Sequence, residues 1–191
     1  MLLNIPTLLT WLRVALIPLV VGVFYFPESV LTIAEKGLIS TIIFIIAAIT
    51  DAFDGFLARR WNETSAWGAF LDPVADKLMV AGALLVLVQL GRVDAVIAFI
   101  IIGREITISA LREWMAQVGA SQSVAVSSLG KIKTIAQMVA IPLLLYYSPV
   151  FGLDVQWIGS GLIVVAAILT LWSMFYYLRC AWPKIKESVN K

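Results

Sequence analysis

Residues 38–57 read LISTIIFIIAAITDAFDGFL, an apolar run in which the first charged side chain is that of Asp51. A helix rises about 1.5 Å per residue, so about 20 mainly apolar residues span the hydrocarbon core of a bilayer. Five more stretches have the same character, and they cover residues 14–26, 69–90, 93–115, 132–147 and 155–178. The sequence therefore predicts an all-α integral membrane protein with six transmembrane helices.

The composition of the 191-residue chain supports this prediction. Hydrophobic residues make up 61% of the chain and charged residues 14%, whereas soluble domains are about half apolar and about a quarter charged. These values argue against a soluble enzyme, a disordered chain or a nucleic-acid-binding protein. With no histidine and only Cys180, the chain cannot use imidazole catalysis, imidazole metal ligation or a disulfide framework. We find no internal repeat and predict one domain over residues 1–191, with an N-terminal interfacial segment over residues 1–13.

Turn residues and basic residues predict the orientation of the chain in the membrane. Turn sequences at 27–29, 91–94 and 148–152 should share one side. Of the 14 Lys and Arg residues, only Lys36 and Arg92 fall on that side. Since basic segments stay in the cytoplasm, we expect both termini to be cytoplasmic. The first predicted helix is short, so it either takes in residues 8–12 or begins near the interface with the Arg13 side chain snorkelling to water.

Four aspartates lie at the cytoplasmic ends of the second and third predicted helices. Asp51 and Asp54 are three residues apart, about 60° from each other around a helix, and Asp72 and Asp76 are four apart, about 40°. The two acidic faces also carry small residues, which are Gly55, Ala58 and Gly68. A short loop joins the two helices, so the two faces can converge.

Four converging carboxylates need cations among them, because otherwise they would repel one another and largely protonate. In the absence of histidine and cysteine ligands, their hard oxygen donors suit Mg²⁺, Mn²⁺ or Ca²⁺. A two-metal carboxylate site beside an arginine at the membrane surface is typical of phosphoryl chemistry, either hydrolysis or transfer. The same aspartates are also compatible with helix caps or with an ion-transport path.

The spacing Asp51-x2-Asp54-Gly55-x2-Ala58-Arg59-x8-Gly68-x3-Asp72-x3-Asp76 resembles the signature of the CDP-alcohol phosphotransferases without a departure. Residues 4–13, 103–115 and 130–138 are similar to members of that family whose acceptor is glycerol 3-phosphate, so the resemblance covers nearly the whole chain. It implies transfer of the phosphatidyl group from CDP-diacylglycerol to sn-glycerol 3-phosphate with release of CMP, a step of phosphatidylglycerol and cardiolipin biosynthesis.

The resemblance also implies roles for individual residues. Asp51 and Asp72 would bridge two divalent metal ions, Mg²⁺ or Mn²⁺, while Asp54 completes one ion and Asp76 the other. Asp76 would also be the catalytic base that takes the proton of the acceptor's 1-hydroxyl. The residues that would bind CDP-diacylglycerol are Pro6, Thr7, Gly55, Ala58, Arg59, Ser65 and Gly68.

Glycerol 3-phosphate is a small dianion, so its pocket needs fixed cations. The candidates are Arg104, Arg112, Lys131 and Lys133. Arg104 is the first choice, because an arginine at membrane depth needs a partner. Arg112 follows Glu105 by seven residues and can instead pair with it. Lys131 and Lys133 point about 200° apart on a helix, so both can enter one pocket only if the helix begins after them.

The resemblance finally implies a homodimer in the bacterial cytoplasmic (inner) membrane, with a polar cavity between the second and third helices that faces the cytoplasm. No nucleic acid is expected as a partner. Three alternatives stay open: another acceptor such as inositol phosphate or serine, an aspartate-rich membrane prenyltransferase, and a cation transporter. The depth of the aspartates separates the last from an enzyme, because a transporter binds its ions near the middle of the membrane.

Overall fold

The computed structural model describes residues 5–61, 66–119, 128–150 and 152–189. It contains six α-helices and, within these ranges, no β-strand, which confirms the predicted all-α fold. The helices are α1 (Ile5–Gly22), α2 (Ile33–Trp61), α3 (Ala66–Gln89), α4 (Ala95–Gln117), α5 (Ser128–Tyr146) and α6 (Val155–Val189), and a short 3₁₀ turn, Val23–Tyr25, follows α1.

In the part of the chain that the structure describes, three of the helices contain segments that are long and apolar enough to cross a membrane. These segments are Leu8–Tyr25, Ile33–Phe53 and Val155–Pro183, and α5 contains a shorter apolar stretch, Ile132–Tyr146. The outer faces of the bundle carry large apolar side chains, among them Phe99 and Trp157 with 77% and 80% of their surface exposed. Apolar surface of this extent suits lipid rather than water. The chain is therefore a membrane protein.

The first helix begins earlier than the predicted span 14–26. Because α1 starts at Ile5, it takes in residues 8–12, and this was the first of the two alternatives. The second alternative is wrong, since the Arg13 side chain is fully buried and does not snorkel to water. The other five helices also exceed their predicted spans at the end opposite the turns, by most in α2, which extends to Trp61, and α6, which extends to Val189.

The turns between the helices meet at one end of the bundle, as the sequence predicts. Arg92 donates hydrogen bonds to the carbonyl oxygens of Leu144 (3.0 Å) and Leu145 (2.7 Å), and its guanidinium lies 4.2 Å from the ring centroid of Tyr147. Near the start of α2, a Cβ on Gly37 would lie 2.6 Å from the Leu145 carbonyl oxygen. Only glycine allows this close approach of α2 to the end of α5.

Side-chain caps fix where three of these helices begin, among them α6, whose first backbone N–H groups donate to Asp154. Asp94 accepts a hydrogen bond from the backbone N–H of Val96 at the start of α4. Thr32 and Glu35 form a reciprocal capping box before α2, in which each side chain bonds the backbone N–H of the other residue. The short connections at the turn end are thus fixed by local hydrogen bonds.

The main apolar core lies in the half of the bundle near the turns. Fully buried side chains from α2, α3, α4 and α5 meet there, including Phe44, Leu84, Ile101 and Ile141. A second, smaller cluster joins α4 to α6 around Met115 in the other half. The buried charged side chains of α1, α4 and α5 occupy that other half, so the apolar core holds in place the helices that carry them.

Candidate active site

A buried arginine of α1 joins acidic residues of α2 and α3. The Nη1 of Arg13 lies 2.6 Å from Oδ1 of Asp51 and 3.0 Å from Oδ1 of Asp76. Because a buried charge without a partner is strongly destabilising, these carboxylates are what allows α1 to carry an arginine inside the bundle. Ionic contacts as well as apolar packing therefore hold α1 against α2 and α3.

Asp72, the third predicted metal ligand with a described side chain, also contacts α1. The Thr10 hydroxyl donates a hydrogen bond of 2.7 Å to Oδ1 of Asp72. Thr10 and Arg13 are three residues apart on α1, and Asp72 and Asp76 are four residues apart on α3. Both spacings place the two side chains on one face of their helix. The structure thus brings Asp51, Asp72 and Asp76 together around one face of α1. We call Thr10, Arg13, Asp51, Asp72 and Asp76 the acidic cluster.

For other predicted site residues the structure does not describe the side chain, and for Ser65 it describes no part of the residue. These are Pro6, Thr7, Asp54, Gly55, Ala58, Arg59, Ser65 and Lys131. Gly68 is described, and it is buried near the start of α3. The predicted cradle for the donor therefore stays a prediction.

Carboxylates of the acidic cluster have the hard oxygen donors that a divalent cation such as Mg²⁺ or Mn²⁺ binds. The side chains of Asp51 and Asp76 are 31% and 41% exposed, so an ion can reach them from solvent. Among residues with described side chains, which leave out Asp54, no three potential ligands are gathered into a metal site. The fit to a metal therefore rests on donor chemistry and on the shared position of the aspartates.

A second charged cluster joins α4 to α5. Glu105 forms ion pairs through Oε1 with Arg104, at 3.0 Å, and with Lys133. Arg104 also donates to the hydroxyl of Ser173 on α6 at 3.3 Å, and its guanidinium lies 5.8 Å from the Tyr177 ring centroid. Both cations are buried. We call Arg104, Glu105 and Lys133 the basic cluster, since it carries one more positive than negative charge.

Arg112 and Lys131 are the other two basic residues predicted to bind the acceptor phosphate. Arg112 does not pair with Glu105, because its guanidinium lies over the ring of Tyr177, 5.6 Å from the centroid. The side chain of Lys131 lies outside the described part. Since α5 begins at Ser128, Lys131 and Lys133 are on the same helix, and the expectation that both enter one pocket if the helix starts after them does not apply.

A cavity of about 210 Å³ connects the two clusters between α3, α4 and α5. Asp76 of the acidic cluster and Glu105 of the basic cluster both line its wall. The other lining residues are Lys77, Val80, Thr134, Gln137 and Met138. Ligand pockets for drug-sized molecules are about 300–1,000 Å³, so this one suits a smaller ligand. The predicted cavity between the second and third helices involves residues 54–67, whose side chains the structure does not describe, so it stays a prediction.

Sequence reasoning missed the residues that organise the two clusters. An arginine inside an apolar helix needs a partner. From the sequence, we applied this rule to Arg104 and did not apply it to Arg13. Thr10 gave no comparable signal, because a lone threonine in a helix is usually structural. A pair between Glu105 and Arg112, seven residues along the chain, was the alternative to an acceptor-binding role for Arg112, whereas Glu105 contacts its neighbour Arg104 and Lys133 of another helix.

Comparison with known proteins gives concordant results. A family model described as CDP-alcohol phosphatidyltransferase matches residues 3–172. A protein of Salmonella choleraesuis (strain SC-B67), named CDP-diacylglycerol–glycerol-3-phosphate 3-phosphatidyltransferase, is 54% identical over 180 residues, 93% of this chain and 94% of the relative. A protein of Escherichia coli (strain K12) with the same name is 52% identical over the same shares of the two chains.

Proposed function

The chain belongs to the CDP-alcohol phosphatidyltransferase family, and from this membership we propose that it transfers the phosphatidyl group of CDP-diacylglycerol to sn-glycerol 3-phosphate. The products are phosphatidylglycerophosphate and CMP. The observation that carries the proposal is the 52–54% identity, over 93% of the chain, to relatives named for this reaction. Serine and inositol phosphate remain the competing acceptors within the family.

Two divalent ions, Mg²⁺ or Mn²⁺, are the cofactors that we propose, with Asp51, Asp54, Asp72 and Asp76 as their ligands. Bound there, they would offset the negative charge of the diphosphate and of the departing CMP. The support for this site is the donor chemistry of the aspartates and the contact of three of them with α1.

Asp76 is the proposed catalytic base. It lines the cavity and is 41% exposed, so an acceptor hydroxyl can approach its carboxylate. Asp76 takes the proton of that hydroxyl while the oxygen forms a bond to the phosphorus that carries diacylglycerol. The bond from this phosphorus to the oxygen of CMP breaks, and CMP leaves with the bonding electron pair. We infer direct transfer without a covalent enzyme intermediate.

Binding of the donor is assigned to the ends of α1, α2 and α3. The small residues Gly55, Ala58 and Gly68 let a diphosphate approach the helix backbone, and Arg59 pairs with a phosphate oxygen. The remaining proposed contacts are Pro6, Thr7 and Ser65. The lipid chains would enter from the bilayer beside the bundle.

The basic cluster is the proposed binding site of the acceptor phosphate. Arg104 and Lys133 are within contact of Glu105, which lines the cavity. The phosphate would replace Glu105 as their anionic partner, and a buried Nε of Arg104 that bonds no described residue offers a further donor. Arg112 and Lys131 are the secondary candidates for this phosphate.

We further propose that the protein is a homodimer in the bacterial inner membrane, with six spans and with both termini and the active site on the cytoplasmic side. The charge asymmetry of the loops supports this orientation. Asp51 lies near the end of the apolar segment Ile33–Phe53 rather than at its middle. This depth suits an enzyme that meets soluble glycerol 3-phosphate and argues against a transport path.

Release of CMP by the purified protein tests the proposed function. With CDP-diacylglycerol and Mg²⁺ or Mn²⁺, we expect release with sn-glycerol 3-phosphate to exceed that with serine or inositol phosphate at least about 100-fold. Chelation of the metal should abolish it. Release with a different acceptor would keep the family and refute the substrate, and absence of release with every acceptor would refute the reaction.

A further inference from the structure

Gln137 of α5 is a buried polar side chain that the proposed reaction leaves without a role. It is 4% exposed. It lines the cavity that Asp76 and Glu105 also line. A glutamine amide carries two N–H donors and a carbonyl acceptor, so at this position it can hydrogen-bond a ligand in the cavity.

The chemistry of the cavity wall indicates which kind of group binds there. Asp76 and Glu105 present carboxylate oxygens, and Thr134 contributes a hydroxyl. Carboxylates accept hydrogen bonds from hydroxyl groups, and the ammonium of Lys77, which also lines the wall, can donate one. The amide of Gln137 can donate to and accept from the same hydroxyl. The wall thus suits the hydroxylated end of a small molecule, and the cavity volume of about 210 Å³ fits such an end.

Helix geometry gives the ligand a direction. Lys133 and Gln137 are four residues apart on α5 and therefore lie on the same face, one turn from each other. A ligand with its phosphate at Lys133 can extend its hydroxyls along α5 to Gln137 and across the cavity to Asp76.

We propose that Gln137 is a specificity-determining residue that hydrogen-bonds the secondary hydroxyl of the acceptor while the primary hydroxyl faces Asp76. This inference rests on the proposed function, because it presupposes glycerol 3-phosphate as the acceptor. It adds that the enzyme distinguishes glycerol 3-phosphate, which has two free hydroxyl groups, from an acceptor that lacks the secondary hydroxyl.

The test compares two acceptors in wild type and in Gln137→Met, which keeps the length of the side chain and removes its hydrogen-bonding groups. The acceptors are sn-glycerol 3-phosphate and 3-hydroxypropyl phosphate, which has the nucleophilic hydroxyl but no secondary one. Wild type should prefer glycerol 3-phosphate at least about tenfold in kcat/KM. In the variant we expect this preference to fall to within about threefold, because turnover of glycerol 3-phosphate falls and that of the analogue does not.

Two controls separate this role from a structural one. Gln89→Met changes the same residue type at an exposed position at the end of α3 near the turns, and it should leave both the rate and the preference unchanged. The KM for CDP-diacylglycerol should not change in Gln137→Met, since the amide is proposed to contact the acceptor alone. Gln137→Leu replaces the methionine variant if that protein does not fold.

The outcomes are distinguishable. An unchanged preference in a folded Gln137 variant, or an equal loss with both acceptors, overturns the role of Gln137 while glycerol 3-phosphate turnover by wild type still supports the proposed function. A wild type that uses both acceptors equally also overturns it. Failure of wild type to turn over glycerol 3-phosphate overturns both.

Discussion

The acidic and basic clusters are built on the same plan with opposite charges. In the acidic cluster, Arg13 contacts the carboxylates of Asp51 and Asp76. In the basic cluster, Glu105 contacts Arg104 and Lys133. Each cluster therefore consists of like charges from different helices that one residue of opposite sign holds together.

The two clusters differ in the sign of the charge that their ion pairs leave uncompensated. Arg13 leaves the three described aspartates with an excess of negative charge, whereas Glu105 leaves its two cations with an excess of positive charge. Clustered charges that are only partly compensated favour ligands of opposite sign. The acidic cluster should therefore bind cations and the basic cluster anions, with the cavity between them.

The largest expected effect is that of Asp76→Asn. The amide keeps the size of the side chain but cannot take a proton, so kcat should fall by about 10³-fold. Assay of CMP release from equal amounts of folded protein measures this. Asp94→Asn is the matched control, because asparagine caps the start of α4 as well as aspartate does, and it should retain full activity. Comparable activity in both variants would contradict the role of Asp76.

Arg13→Gln should give the next largest effect, on stability. Removal of a fully buried cation leaves two carboxylates close together, which should cost about 3–5 kcal/mol of unfolding free energy. Because Mn²⁺ can then replace the lost charge, the ion should raise Tm more in the variant than in wild type. Equal Mn²⁺ stabilisation of the two proteins would show that Arg13 and the metal do not share the same carboxylates.

Glu105→Gln makes the converse change in the basic cluster. Glu105 is partly exposed, so we expect a loss near the lower end of the same range, about 3 kcal/mol. Here an anion should restore stability, and glycerol 3-phosphate should raise Tm more in the variant than in wild type. Stabilisation by Mn²⁺ should be unchanged. A variant rescued by Mn²⁺ and not by the anion would reverse the assignment of the two clusters.

Arg92→Gln at the turn end should have the smallest effect. Arg92 donates to two carbonyl oxygens at the end of α5, so its loss should cost about 1–3 kcal/mol. Neither Mn²⁺ nor glycerol 3-phosphate should restore this loss, and activity per folded molecule should equal that of wild type. Rescue by either ligand would mean that ligand stabilisation is not specific to the two clusters.

Local sequence patterns predicted the helices and the placement of the aspartates, because both depend on residues close together in the chain. Asp51, Asp72 and Asp76 lie on helices whose periodicity and connection are readable, and the structure brings them together. Their contacts with α1 were not predictable in this way, since Thr10 is 62 residues from Asp72 and Arg13 is 63 from Asp76.

The basic cluster was predicted in part for a related reason. The need of Arg104 for a partner follows from its depth in the membrane, but the partner depends on how α4 and α5 pack. Lys133 reaches Glu105 across 28 residues, and no helical spacing indicates such a contact. The same applies to Gln137, whose burial against the cavity results from the packing of three helices.

Equilibrium binding of Mn²⁺, followed by electron paramagnetic resonance in the absence of substrates, tests most directly the claim that the two clusters bind ligands of opposite sign. The comparison is between wild type, Asp72→Asn and Lys133→Met. We predict at least about tenfold weaker binding in Asp72→Asn and binding within twofold of wild type in Lys133→Met. Unchanged binding in Asp72→Asn, or weakened binding in Lys133→Met alone, would contradict the account.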